Sequence, residues 1–138
     1  MSYITAQGLL KTLLLTLSSL IDGSVTEGDL RVLDKGYSTM AVIYPGALPE
    51  YDLAGMTREH EYEAIVDLFV RVVDGDEIND LGTLRDAVIT ALEAAPCLSA
   101  TYFVTALSSD RPEEIYDTAG GGPAYFVQRC YLTIQEQV

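Results

Sequence analysis

Glu59, His60, Glu61, Glu63 and Asp67 form the densest group of side chains capable of metal binding or acid–base chemistry in this 138-residue chain. Such chemistry requires ligands that converge, yet the segment carrying them alternates polar and apolar residues as a strand does. Neighbours on a strand point to opposite faces, so His60 is turned away from Glu59, Glu61 and Glu63, and a second element would have to complete any site. The carboxylates therefore read as a polar face that meets water or lines a lumen, with Glu59, Glu61, Glu63 and Asp67 as its candidates. A small metal-dependent hydrolase built on these four carboxylates is the alternative.

Other chemical patterns fail on spacing. The run Gly120-Gly121-Gly122 has no following Lys-Ser or Lys-Thr pair and leads into a strand, which is the wrong context for a phosphate cradle and suits a hinge. Nucleophilic catalysis needs a base beside a Ser or Cys, but the sole histidine, His60, sits in a charged strand and there is no Gly-x-Ser-x-Gly elbow. Cys97 and Cys130 are far apart with no paired spacing, which argues against structural zinc. Both read as small core hydrophobes, and spacing leaves a disulfide between them open. The expectation is a protein that is not an enzyme, with no cofactor and no metal.

The surface is strongly acidic: 21 Asp and Glu against 8 Lys and Arg give a formal net charge of −13. Phosphate binding needs clustered Lys and Arg, and no window supplies them, so specific nucleic-acid binding is not expected. The acidity either keeps the protein soluble or lets a polyanion pass without sticking, the latter mattering only if the protein forms a ring. The apolar patch at Leu9-Leu10 and Leu13-Leu14-Leu15 is broken by Lys11 and ended by Asp22, short of the ~20 residues that span a bilayer. Residues 1–8 carry no Lys or Arg, unlike a secretory signal, so a cytoplasmic protein without a membrane span is expected.

The elements that must position these residues follow from periodicity. Ile4, Leu10, Leu13, Leu14, Leu17, Leu20 and Ile21 repeat at helical spacing over 4–21, stopped by Gly23, and Leu9 and Leu15 widen the stripe enough to suggest deep packing or a subunit contact. Leu30 and Val32, a turn at Asp34-Lys35-Gly36, and Met40–Tyr44 predict a hairpin over 29–44. Residues 45–56 read as a contact loop bearing Tyr51 and Leu53.

The longest strand is predicted over 58–73, with Tyr62, Ala64, Val66, Leu68, Val70 and Val72 on its buried face. A helix capped by Asn79 or Asp80 follows, with a stripe of Leu81, Leu84, Val88, Ala91 and Leu92 and a stop at Pro96. Then come a strand over 99–107, a second contact loop over 108–123 that carries Tyr116, and a closing strand over 124–135. With 49% hydrophobic and 21% charged residues the chain fits a single domain over 1–138. Its class is α/β of the α+β type, a mixed or mainly antiparallel sheet packed against two principal helices.

That order of elements resembles the tail terminator, or tail completion, proteins of phages with long non-contractile tails. The resemblance is carried by Tyr62-Glu63-Ala64-Ile65-Val66-Asp67-Leu68-Phe69-Val70-Arg71-Val72, then Leu84-Arg85-Asp86-Ala87-Val88-Ile89, then Val127-Gln128-Arg129-Cys130-Tyr131-Leu132-Thr133-Ile134. It implies a virion protein, assembled in the host cytoplasm, that closes into a homohexameric ring on the end of the tail tube. Its implied partners are itself, the major tail tube protein and a head completion or connector protein, with DNA passing through unbound. Leu9, Leu15, Tyr51, Leu53 and Tyr116 are then candidates for contact with a neighbour or the tube. A head completion protein on the connector side shares the ring and the acidity and is the nearest alternative.

Overall fold

A computed structural model of the chain describes residues 3–17, 20, 24–27, 38–46, 61–73, 75–116 and 123–136. Two helices and six strands follow in the order α1 (Tyr3–Leu14), β1 (Val25–Glu27), β2 (Thr39–Pro45), β3 (Glu61–Arg71), α2 (Glu77–Ala94), β4 (Tyr102–Ser109), β5 (Glu113–Tyr116) and β6 (Pro123–Glu136). The strands form one sheet in the order β1-β2-β3-β6-β4, with β5 also paired to β6. Every pairing is antiparallel except that of β1 with β2. The class is therefore α+β with a mainly antiparallel sheet, as the periodicities predict. No helix among the described residues is long and apolar enough to cross a membrane.

The alternation in β3 sorts its side chains as expected. Tyr62, Ala64, Val66, Leu68 and Val70 join Phe126, Cys130, Leu132 and Ile134 of β6 in the main core, against Ala6, Leu10 and Leu14 of α1 and Leu81, Leu84, Val88 and Leu92 of α2. Each large aliphatic side chain buried there stabilises the fold by roughly 1.5–3 kcal/mol. Both helices thus cover one face of the sheet. On the opposite face Met40, Val42, Phe69 and Tyr125 form a smaller cluster.

Several boundaries differ from the sequence reading, each for a local reason. α1 ends at Leu14 because the chain then tightens into turns: Thr16 N–H bonds Leu13 O at 3.0 Å, Leu17 N–H bonds Leu14 O at 3.1 Å, and the Thr16 hydroxyl donates to Leu13 O at 2.6 Å. The turns still deliver Leu20 to the core. Ile4, expected on the buried stripe, is 77% exposed. Both edges of β2 are occupied, by β3 along its length and by β1 at Ala41–Ile43, which leaves no room there for the predicted hairpin arm. Leu30 and Val32 lie outside the described residues.

α2 begins at Glu77, ahead of the predicted caps, and its N-cap Asp76 makes no side-chain capping bond. The Glu77 carboxylate secures the turn instead, accepting Val73 N–H at 2.5 Å and Gly75 N–H at 2.9 Å. Gly75 has φ +97°, a left-handed conformation that suits glycine. The helix stops where predicted, with Ala95 N–H bonded to Ala91 O at 3.0 Å just before Pro96.

Part of the second predicted loop is β5, which pairs with the stretch of β6 that β4 does not reach. Glu113 and Glu114 disguise it, since acidic residues are depleted in strands. The predicted hinge at Gly120–Gly122 lies outside the described residues. Cys130 is buried but Cys97 is exposed, and both thiols are free, so Cys97 is not the core hydrophobe expected.

Candidate functional site: a charged network on the face opposite the two helices

β3 and β6 run antiparallel in a register that sets Asp67 directly opposite Arg129, while Val42 of β2 is the neighbour of Asp67 on its other side. Both Asp67 and Arg129 point to the face opposite α1 and α2, because they alternate with core residues on their strands. Arg129 grips the carboxylate with two nitrogens, Nε to Oδ1 at 3.0 Å and Nη2 to Oδ2 at 3.2 Å. The Tyr44 hydroxyl donates to Oδ2 at 2.7 Å, and the Arg129 guanidinium carbon lies 5.5 Å from the centre of the Tyr44 ring. Asp67 is 7% exposed and both its oxygens are occupied, so it acts as a fixed counter-charge.

The network continues across the edge of the sheet. The chain leaves β4 at Asp110, whose N–H bonds Arg129 O at 2.9 Å and whose carbonyl accepts from Gln128 Nε2 at 2.9 Å. Residues 110–112 link β4 to β5, which pair in succession along the edge of β6 opposite β3, and the Asp110 carboxylate accepts the Tyr131 hydroxyl at 2.8 Å.

Proton affinities follow these contacts. Burial, then the bond and charge of Asp67, hold the Tyr44 phenol well above its usual range. The hydrogen bond to Asp67 raises Arg129 further above its ordinary value against the opposing effect of burial. The bond to Asp110, then burial, raises Tyr131. At neutral pH the two phenols are neutral and the guanidinium charged, which keeps every donor and acceptor in the network matched.

Beside the network lies a cavity of about 260 Å³, lined among the described residues by Asp67, Phe69, Asp110, Arg111, Glu113, Ile115, Val127 and Arg129. Its apolar part is Phe69, Ile115 and Val127, and Phe69 is held edge-on by Tyr125 with ring centres 6.4 Å apart. Arg111 and Glu113 are exposed on the rim.

Of the three acidic candidates among the described residues, Asp67 alone belongs to this arrangement. Asp67 is buried in an ion pair, so the expectation that the whole acidic face meets water does not describe it. Glu61 is exposed at the start of β3 and Glu63 is half-buried. Gly46 approaches Glu63 so closely that a Cβ at position 46 would overlap its side chain, and Gly46 N–H bonds Glu63 O at 2.8 Å. Glu61 and Asp67 are separated by roughly 20 Å of extended strand, too far to share a ligand. Glu59, with His60, lies outside the described residues.

Of the contact candidates, Leu9 and Leu15 are half-buried against the core. Tyr51 and Leu53 lie outside the described residues, as does the side chain of Tyr116, whose backbone closes β5. Arg129, Tyr44, Tyr131, Asp110 and Arg111 escaped the sequence reading. The available signal was Arg129 itself, a lone cation between Val127 and Tyr131 on one face of a largely apolar strand, which calls for a carboxylate on a neighbour.

At the other end of the sheet Glu136 ties three strands together, accepting the Tyr62 hydroxyl at 2.9 Å and the Tyr102 hydroxyl at 3.5 Å. Burial, then the charge of Glu136, raises Tyr102. On the helix-bearing face, burial pushes the Cys130 thiol up to about 11 from an ordinary 9.0, and the charges of Asp67 and Asp110 act in the same direction while Arg85 opposes them.

A raised folded-state value gives stability that is complete below pH ~9 and lost as the pH climbs through the folded value. Denaturant titrations between pH 8 and about 11 should therefore show stability falling by on the order of 2 kcal/mol. Cys130→Ala should flatten that slope between roughly pH 9 and 11. An unchanged slope in the variant would remove Cys130 as its source.

No family model matches the sequence. No curated protein matches it either. Among solved structures, one of a protein bearing no functional name matches 98% of this chain and 94% of its own, at 18% identity and a TM-score of 0.58. At that identity the likeness establishes a shared fold alone.

Proposed function

We propose that this chain is the ring-forming subunit that ends a phage tail tube and offers the surface on which the head is joined. The observation that carries the reading is that the three stretches resembling tail terminator proteins form one packed unit. Residues 62–71 lie in β3, residues 127–134 in β6, paired with β3 throughout, and residues 84–89 in the helix whose Leu84 and Val88 rest on those strands. A resemblance scattered over unrelated surfaces would carry far less weight.

Charge supports the same reading. Six copies at −13 each bring about −78 formal charges to a ring, and any part of that charge turned toward the hole repels DNA from every side. DNA then passes without adhering. The exposed Glu61, together with Glu63 and Glu59, is the proposed lumen-facing group; Asp67 is committed to Arg129 and serves to hold the sheet. The partners in this reading are other copies of the chain, the tail tube protein and a head completion protein.

Particles assembled without this protein test the proposal directly. Electron microscopy should reveal tails of uncontrolled length or tails lacking heads. Tails of normal length joined to heads would overturn it, and binding of the purified protein to the connector but not to tail tubes would move it to the head side of the joint.

A further inference from the structure

We infer that the first turn of α1 in one copy, led by Ile4, seats in the cavity over Phe69, Ile115 and Val127 of a second copy. This rests on the ring-subunit reading above and names its subunit contact. Four large apolar side chains are exposed among the described residues: Ile4, Val73, Ile78 and Ile115. Ile4 belongs to a helix that covers one face of the sheet, whereas Ile115 pairs opposite Tyr125 and lines the cavity on the other face. A chain cannot reach around its own sheet to bring the two together, but a neighbour can.

Size and charge favour this occupant. A cavity of about 260 Å³ is below the roughly 300–1,000 Å³ of sites for drug-sized ligands and suits one or two aliphatic side chains. Residues 1–21 carry Lys11 as their only charge, so every one of the 21 acidic residues lies beyond them. α1 is accordingly a helix that can approach another copy of so acidic a protein without adding like charge. Its first turn holds no acidic residue. Because the two surfaces differ, the contact is head-to-tail, the arrangement that closes into rings.

Sedimentation equilibrium of the full chain, at concentrations up to about 1 mM to capture weak association, tests the contact. Ile4→Asp and Ile115→Asp each change an exposed side chain, and thermal unfolding should confirm that both variants fold. Each alone should associate about tenfold to a hundredfold more weakly than the wild type, the effect of taking one aliphatic side chain out of contact. An equimolar mixture should form dimers and nothing larger, since each dimer retains a single intact pair of surfaces. Wild-type association by either variant alone, or monomers in the mixture, would overturn the contact and leave the ring reading standing. If the wild type fails to associate both in solution and on purified tail tubes, the ring reading fails and this contact with it.

Discussion

Arg129→Ala should lower the free energy of unfolding by about 2–3 kcal/mol and the Tm by roughly 6–12 °C. The side chain of Asp67 is 10% exposed, so removing its partner leaves a buried carboxylate with the Tyr44 hydroxyl as its remaining side-chain donor. Breaking a fully buried pair costs about 3–5 kcal/mol, but the Arg129 side chain is 45% exposed and water screens part of the interaction, which lowers the expectation. Replacing both partners by leucine should recover much of the loss, because the charge that needs solvation is then gone. Urea titrations of the single and double variants measure both numbers. A single variant within about 0.5 kcal/mol of the wild type would mean that the pair contributes little.

Glu77→Ala should cost about 2–3 kcal/mol, the loss of two charge-assisted bonds to backbone N–H groups in a half-buried turn. Glu77→Gln keeps an acceptor oxygen for one of them and should cost roughly half as much. The distinctive signature is local: amide exchange at Val73 and Gly75 should accelerate, since these are the groups that Glu77 holds. Asn79→Ala, at the position that sequence spacing offers as a cap, should change stability by less than about 0.5 kcal/mol. A larger effect at Asn79 than at Glu77 would contradict the account of how α2 begins.

These two cases also mark what periodicity can reveal. The two faces of β3 and the stripe Leu81, Leu84, Val88 and Leu92 were legible because burial imposes a repeat on a single element. The start of α2 was not, since a glutamate that reaches back to an irregular turn leaves the same letters as one facing solvent. The pairing of Asp67 with Arg129 depends on the register between strands 62 residues apart in sequence, and nothing local encodes a register. β1 was too short to show a period, and β5 was hidden behind Pro112 and two glutamates.

For the function proposed, the network has a mechanical meaning. A ring subunit has to keep its contact surfaces in fixed relation while DNA under pressure passes beside it. Asp67, Arg129, Tyr44, Tyr131 and Asp110 join β2, β3, β6 and the turn after β4 through side-chain bonds, and the Asp67–Arg129 register locks the central strand pair. A slip by one residue would separate the two charges and turn core residues outward, so this register is strongly specified.

The most direct measurement is cryo-electron microscopy of tails assembled with this protein present. The account predicts one ring of this chain at a single end of each tube, with Glu61 and Glu63 turned toward the axis. Tubes whose ends carry no such ring, or chains bound along their length, would contradict it.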